Sequence, residues 1–396
     1  MVEIYRKSLF DIPKDIVYLD GNSLGPLLKG VSEESQRVIN NEWGKKLIKG
    51  WNESKWMDQP VRVGNKIAKL LNGEKGSIVL GETLAVKLYQ ALSDAIDLRK
   101  DRSVILTDTG NFPSDLYIAQ GLINNHCRNL KLKIVDPEDI VSAIDKRVAV
   151  VMLTQVDYKN GRMHDLHNIT DLCHKYGAII LWDLAHSAGA VPVDLKKSGC
   201  DFAVGCTYKY LNGGPGSPGF IYVRPDLIQK CSTRIRGWLG HKSPFDFSSE
   251  FEEADTIDVM RIGTPPVIQM SILEKSLDIW EDVSMEKLRE KCIELSELFI
   301  SQVEERCPEL KLASPRDPSF RGSQVSFSFE EGYAVIQALI NDGIIGDFRA
   351  PNIMRFGITP LYVSEDDILT AVNSLEKIIK EGLWNSERFR KRKLVT

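Results

Sequence analysis

An aspartate and a lysine at the ends of two apolar runs carry the strongest chemical signal in the sequence. Asp183 closes the run AIILWD and is followed by Leu184-Ala185-His186, while Lys209 lies in Cys206-Thr207-Tyr208-Lys209-Tyr210, just beyond the run DFAV. If both runs are strands of one sheet, their carboxyl ends open onto a shared crevice, where ligands of such sheets gather. A lysine amine forms a Schiff base with a carbonyl cofactor, and a carboxylate keeps a pyridine nitrogen protonated so that the ring accepts electrons. That donor pair suits pyridoxal phosphate. Taken singly, Asp183 reads as a helix cap and Lys209 as a surface lysine; joint placement favours the cofactor.

Two further segments supply what such a cofactor needs. Gly81-Glu82-Thr83-Leu84-Ala85 precedes an amphipathic helix starting near Leu84, and backbone N–H groups at a helix start form a phosphate cradle. The plainer alternative is an ordinary Thr N-cap. After the run SVILTD comes Asn111-Phe112-Pro113-Ser114-Asp115, where an aromatic can stack on a planar ring. Alone, that segment is only a turn.

The elements that must position these residues are legible as a pattern. Between about residues 77 and 224, SVILTD, LKLKIV, VAVVML, AIILWD, DFAVGC and GFIYV alternate with helix-length amphipathic segments. This is the image of an α/β fold, a mainly parallel central sheet with helices on both faces. Beyond Thr264-Pro265-Pro266 the texture changes: helical patterns over 267–282 and 285–306, a strand around 322–328, another helix, two short strands near 344–356 and a helix over 364–381. These predict a smaller C-terminal α+β domain. Asp20-Gly21-Asn22-Ser23-Leu24-Gly25-Pro26 is too rich in Gly, Asn and Pro for helix or strand. The expected division is an N-terminal segment over 1–45 packing with the small domain and the site, a large cofactor-binding domain over 46–264 and the small domain over 265–396.

Composition narrows the function further. The chain has 396 residues, 43% of them hydrophobic, with 51 basic against 55 acidic residues and a net charge of −4, which argues against a nucleic-acid partner. No run approaches a membrane span, and Met1 to Asp20 lacks an apolar leader core, so a cytoplasmic location is expected. Seven cysteines without a CxxC pair read as reduced thiols. Asn212-Gly213-Gly214-Pro215-Gly216 lacks the GK[ST] ending of a nucleotide loop. His164, His167, Cys173 and His174 match no common zinc spacing, so no metal is expected. Trp43, Trp51 and Trp56 read as core or pocket lining, and the basic tail over 388–393 as a solvated terminus.

YLDGNSLGP near the start, NFPSDLYIAQGL at 111–122, WDLAHSAG at 182–189, TYKYLNGGPGSPGF at 207–220, GWLGH at 237–241 and the PP after Thr264 together resemble the kynureninases, pyridoxal-phosphate enzymes of fold type I in the class-V aminotransferase-like group. The motifs fall in order from residue 18 to about 362. The resemblance implies hydrolytic Cβ–Cγ cleavage of L-kynurenine, and of its 3-hydroxy form, to anthranilate or 3-hydroxyanthranilate and L-alanine. It implies Lys209 as the Schiff-base lysine, Asp183 as the pyridinium partner, Phe112 as the stacking aromatic, and Ser114 and Asp115 in the same cofactor-contacting turn. Leu84 and Ala85 would offer phosphate-facing amides; Thr154, His186, Tyr208, Trp238 and Thr264 match further cofactor contacts, with Tyr208 a candidate acid.

Arg355, in NIMRFGITPLY, matches the arginine that binds the substrate α-carboxylate, a task for a planar bidentate donor. Ser23 and Trp51 would line the pocket for the aryl ketone. Three positions depart from the family pattern: Ala85 stands where Thr is common, Thr264 where Asn is frequent, and Trp51 where some members have His. The last two bear on the choice between kynurenine and its 3-hydroxy form. The resemblance also implies a homodimer in which Trp238 and Thr264 reach the partner's cofactor. The competing readings are another enzyme of the same fold, a cysteine desulfurase or an aminotransferase, and a catalytically idle relative acting as a scaffold. A desulfurase needs a nucleophilic cysteine in a late Gly/Ser-rich loop, and none of the seven occupies one.

Overall fold

The strand Val148–Thr154 is buried at all seven positions, as its unbroken apolar run requires of a strand covered on both faces. It lies near the middle of the main sheet of the computed structural model, which describes residues 4–393. Seven strands build that sheet: β1 (Ile78–Leu80), β2 (Val104–Asp108), β3 (Lys131–Val135), β4 (Val148–Thr154), β5 (Ile179–Asp183), β6 (Phe202–Gly205) and β7 (Phe220–Val223). Their order across the sheet is β1-β7-β6-β5-β4-β2-β3. All pairings from β6 to β3 are parallel, while β7 runs antiparallel to both of its neighbours. The six apolar runs of the sequence are thus strands, and the sheet is mixed through β7 alone. The short edge strand β1 lacks the length that marks the others and escapes the pattern reading.

Helices α1 (Gln59–Leu70), α2 (Leu84–Asp97), α3 (Pro113–Asn124) and α4 (Leu166–Tyr176) belong to this sheet. Helix α4 shows why its boundaries fall where they do. The Asp165 carboxylate accepts from the Asn168 amide at its start, and Gly177 takes a left-handed conformation at its end, satisfying exposed donors and acceptors at each terminus. Two apolar clusters sandwich the sheet, one holding Trp182 and Phe220, the other Val150 and Phe202.

The remaining chain begins with α5 (Val267–Ser276), which tightens into a 3-10 turn over Leu277–Trp280 instead of continuing to 282 as expected. Then come α6 (Met285–Arg306), α7 (Gly332–Asn341) and α8 (Glu365–Lys380), the last opened by a capping box between Ser364 and Asp367. They pack beside a four-stranded antiparallel sheet of β8 (Lys311–Leu312), β9 (Gln324–Ser328), β10 (Asp347–Arg349) and β11 (Ile353–Gly357), in the order β10-β11-β9-β8. Val17–Tyr18 pairs in parallel with Ile344–Ile345. This stitches the N-terminal segment to the C-terminal part of the chain.

The basic residues of the tail are exposed, as expected of a solvated terminus, but the segment is also anchored. Phe389 is buried, and the Arg392 guanidinium lies 4.8 Å from the Tyr333 ring centre and 5.0 Å from that of Phe348. Its charge is therefore spent partly on aromatic faces, a use that a run of basic letters does not reveal. Residues 1–3 and 394–396 lie outside the described part. Among the described residues, no helix is long and apolar enough to cross a membrane.

Candidate active site

Thr154 and Asp183 end neighbouring parallel strands in register, so both project beyond the carboxyl edge of the sheet. The loop after β6 delivers Cys206, Tyr208 and Lys209 to the same edge, and the turn after β2 brings Phe112, which caps α3, with Ser114 and Asp115 in the first turn of that helix. A cavity of about 270 Å³ is lined by these residues together with Leu84, Ala85, Thr154, Tyr158, Asp183 and His186. Ten residues expected from the sequence to hold the cofactor thus surround one space.

The interior of this cavity is densely charged. Lys209 Nζ lies 2.9 Å from His186 Nε2. Burial and the Lys209 charge drive the His186 ring far below its ordinary pKa, so it is neutral. Asp183 accepts from the Ala185 amide at 2.8 Å and from the Thr154 hydroxyl at 3.4 Å. Burial raises its pKa, opposed by Lys209. Asp115 is raised much further by burial and by the Asp183 charge, and its carboxyl oxygens have no hydrogen-bond partner among the described residues. Tyr208 is also pushed up, first by burial and then by Cys206, which keeps its hydroxyl protonated.

At the mouth of α2, Thr83 contributes no side-chain cap, and the Val86 amide turns back to the Thr83 carbonyl, so the Leu84 and Ala85 amides remain available to an anion. A Cβ on Gly219 would fall 2.7 Å from the Leu84 nitrogen, and only glycine lets the turn before β7 press against that helix start. The preceding Glu82 holds a left-handed φ of 50°, and its carboxylate meets the fully buried Lys87 amine at 2.7 Å. Lys87 also donates to the Met260 carbonyl at 2.7 Å. This pins the turn. Open amides, a buried carboxylate and a lysine around one cavity match the phosphate, ring nitrogen and carbonyl of pyridoxal phosphate, and the unpartnered Asp115 carboxyl and His186 Nδ1 leave polar groups for its substituents.

The small sheet contributes Arg355. Its guanidinium is buried and paired with Asp347, donates to the Ser23 hydroxyl at 2.9 Å and also donates to the Tyr158 carbonyl. Tyr158 in turn sets its ring edge-to-face against Phe112, with centres 5.0 Å apart. Ser23 reaches this place because the Gly25 amide donates to the Tyr208 carbonyl at 2.8 Å, and a Cβ on Gly25 would meet the Lys209 carbonyl at 2.2 Å. The N-terminal turn is therefore pressed onto the lysine's own backbone.

Five expected residues do not line this cavity: Ser23 and Arg355 reach it through the Tyr158 carbonyl, and Trp51, Trp238 and Thr264 lie elsewhere. Trp51 packs edge-to-face on the buried Trp56, Trp238 is 42% exposed beside Phe245, and Thr264 is exposed. Tyr158, Cys206, Asp347 and Asp20 were not foreseen. Burial and Asp347 raise the Asp20 carboxyl to about 7. Of these, Cys206, beside Tyr208 and Lys209, and Asp20, which opens the Asp20–Pro26 turn, offer a signal in the sequence. Of the four metal-like residues, His164 is taken up by Asp108 at 2.6 Å and His174 by Asp201 at 3.0 Å, while Cys173 is buried.

The fold and this donor set define a pyridoxal-phosphate enzyme of fold type I. A structure of a C-DES mutant with glycine covalently linked to the PLP cofactor superposes with a TM-score of 0.82 at 15% identity, over 93% of this chain and 98% of that one. Family models match as the Kynureninase C-terminal domain over 288–375 and as the DegT/DnrJ/EryC1/StrS aminotransferase family over 88–206. The kynureninase of Pseudomonas fluorescens is 46% identical over 98% of this chain and 95% of its own length. That of Burkholderia pseudomallei strain K96243 is 42% identical over the same shares. The chain belongs to the kynureninase family.

Proposed function

We propose that the cavity around Lys209 is where this chain hydrolyses L-kynurenine, and its 3-hydroxy form, to anthranilate or 3-hydroxyanthranilate and L-alanine. The observation that carries this reading is the convergence of Lys209, Asp183 and Tyr208 on one cavity, with Arg355 bonded to the carbonyl of Tyr158 on its wall. Asp183 would face the ring nitrogen, Phe112 the ring, and Leu84, Ala85 and Ser114 the phosphate side, with Asp115, Thr154 and His186 completing the shell. When bound, pyridoxal phosphate supplies an electron sink that makes the substrate Cα acidic and stabilises negative charge at Cβ.

Arg355 holds the α-carboxylate, which orients the Cα–H bond for transfer. The Lys209 amine takes the α-proton and returns it. Neutral His186, 2.9 Å from that amine, accepts its hydrogen bond without competing as a charge. A water molecule adds to the aryl ketone, the Cβ–Cγ bond breaks to release anthranilate, and the Tyr208 hydroxyl gives its proton to Cβ so that alanine leaves. Tyr208 suits this role because burial keeps it protonated.

The family's chemistry differs from that of a cysteine desulfurase in needing no thiolate. Cys206 lines the cavity, but burial raises its pKa, which keeps it a thiol. The exposed cysteine, Cys127, follows α3 and does not line the cavity.

We assign residues 46–264 as the cofactor domain, 265–396 as the small domain and 1–45 as the segment that joins them at the site. The working form is a cytoplasmic homodimer. Trp43, Ile48, Phe245 and Phe247 are 58%, 77%, 62% and 78% exposed, more large apolar surface than scattered single residues explain. Trp51, Trp238 and Thr264 lie outside their own chain's cavity and are available to a partner's. Product analysis with L-kynurenine, cysteine and an amino donor with a 2-oxo acid tests the reading: anthranilate and alanine in equal amounts support it, and kynurenine left unconsumed overturns it.

A further inference from the structure

Arg355 is held more firmly than a residue waiting for a ligand needs to be. Asp347 on β10 faces it across the strand register, and the two are 2% and 1% exposed. Arg355 Nε donates to Asp347 Oδ1 at 2.6 Å and Nη2 donates to Oδ2. Nη2 also donates to Ser23 Oγ at 2.9 Å, and Nη1 to the Tyr158 carbonyl. The Ser23 hydroxyl gives its own hydrogen to Asp347 Oδ2 at 2.6 Å.

A guanidinium carries five N–H groups arranged along its edges. Asp347 takes the whole Nε–Nη2 edge, so a second carboxylate can meet this arginine only at the Nη1–Nη2 end. One position at that end is filled by an uncharged hydroxyl oxygen from the N-terminal turn. A hydroxyl is the weaker acceptor, and a carboxylate oxygen arriving there forms a charge-assisted bond in its place. Asp347 also meets Arg349 Nη2 at 2.9 Å, so without it two guanidinium groups would face each other.

We propose that Asp347 is a positioning residue for the substrate α-carboxylate: it locks one edge of Arg355 so that the other end faces the cavity, where Ser23 Oγ keeps the place of one carboxylate oxygen. The inference rests on Arg355 being the carboxylate grip. Its physical content is preorganisation: the guanidinium is oriented before substrate arrives, so binding spends nothing on ordering it.

The test uses the cofactor-loaded protein and L-alanine, whose binding is followed by visible absorption without turnover, alongside steady-state kinetics with kynurenine. Asp347→Asn should raise the alanine Kd and the kynurenine KM by about tenfold or more, with a smaller fall in kcat. In an Arg355→Lys background the same change should add less than about twofold, because the pair acts as a unit. Ser23→Ala, which removes the placeholder, should leave alanine binding equal or tighter. The proposal is overturned if Asp347→Asn leaves both constants within about twofold, or keeps its full effect beside Arg355→Lys. If Asp347→Asn does not fold, Ser23→Ala decides, and a loss of alanine affinity beyond about threefold would overturn the placeholder. A wild type that binds alanine yet consumes no kynurenine refutes the reaction assigned above, while the alanine titrations still decide the role of Asp347.

Discussion

Lys209 and His186 are linked through Nζ and Nε2 at 2.9 Å, with the imidazole neutral by burial beside the amine. The lysine is thereby aimed from the loop after β6 into the cavity. Borohydride reduction of the loaded protein followed by peptide mapping should place the pyridoxyl label on Lys209. A label on any other lysine removes that assignment.

Asp183 should matter far more to turnover than to cofactor retention. Asp183→Ala takes away the carboxylate proposed above to face the ring nitrogen, and losing one such electrostatic partner should lower kcat by about a hundredfold or more. The measurement is kcat against cofactor content by visible absorption; a variant that loses cofactor and kcat in the same proportion would show the role to be retention only.

Arg355→Lys keeps the charge but cannot meet a carboxylate in one plane. Losing one charge-assisted hydrogen bond costs about 1.5–3 kcal/mol, or roughly ten- to two-hundredfold in kcat/KM. Wild-type efficiency in that variant would leave Arg355 as a structural tie to Asp347.

One part of the pH dependence of stability should trace to Asp94 on α2, away from the site. It is 2% exposed, and one of its oxygens lacks a hydrogen bond among the described residues. Burial lifts its pKa to about 7. The folded state therefore keeps this proton up to about pH 7, whereas the unfolded chain releases it near pH 4. The contribution of Asp94 is fully present below pH 4 and falls by about 1.4 kcal/mol per unit as pH rises to 7. Asp94→Asn should lessen the fall in stability between pH 5 and 7 in urea titrations by the share of one proton. Equal slopes in variant and wild type would exclude Asp94 as the source.

Association should depend on the exposed aromatic loop. Phe247, 78% exposed and edge-to-face with Phe245, would carry a charge into an apolar contact as Phe247→Asp. Sedimentation should show a homodimer for the wild type and a weakened one for the variant, with activity falling in parallel. An active wild-type monomer at working concentration would exclude shared sites.

Strands β2 to β7 and the cavity were legible because short apolar, β-branched runs mark strands and the polar residues that follow them mark the sheet's open edge. Asp183 and Lys209 could be paired on that ground alone. Asp347 and Tyr158 could not. Asp347 sits in a three-residue strand with no periodicity to announce it, and Tyr158 reaches Phe112 and Arg355 through a loop whose path is set by tertiary contacts. The division of labour between Ser23 and Asp347 over one guanidinium depends on residues hundreds of positions apart, which no local pattern encodes.

That separation has a consequence for how the molecule is made. Ser23 and Arg355 are 332 positions apart, and Val17–Tyr18 finds its strand partner only in Ile344–Ile345. On a ribosome adding roughly 5–20 residues per second, the sheet that carries Lys209 can form while the partner of the N-terminal turn is still unsynthesised. The bond between Arg355 and Ser23 can therefore form only after more than three hundred further residues have been made, so the N-terminal turn must wait for its partner while the sheet that carries Lys209 takes shape.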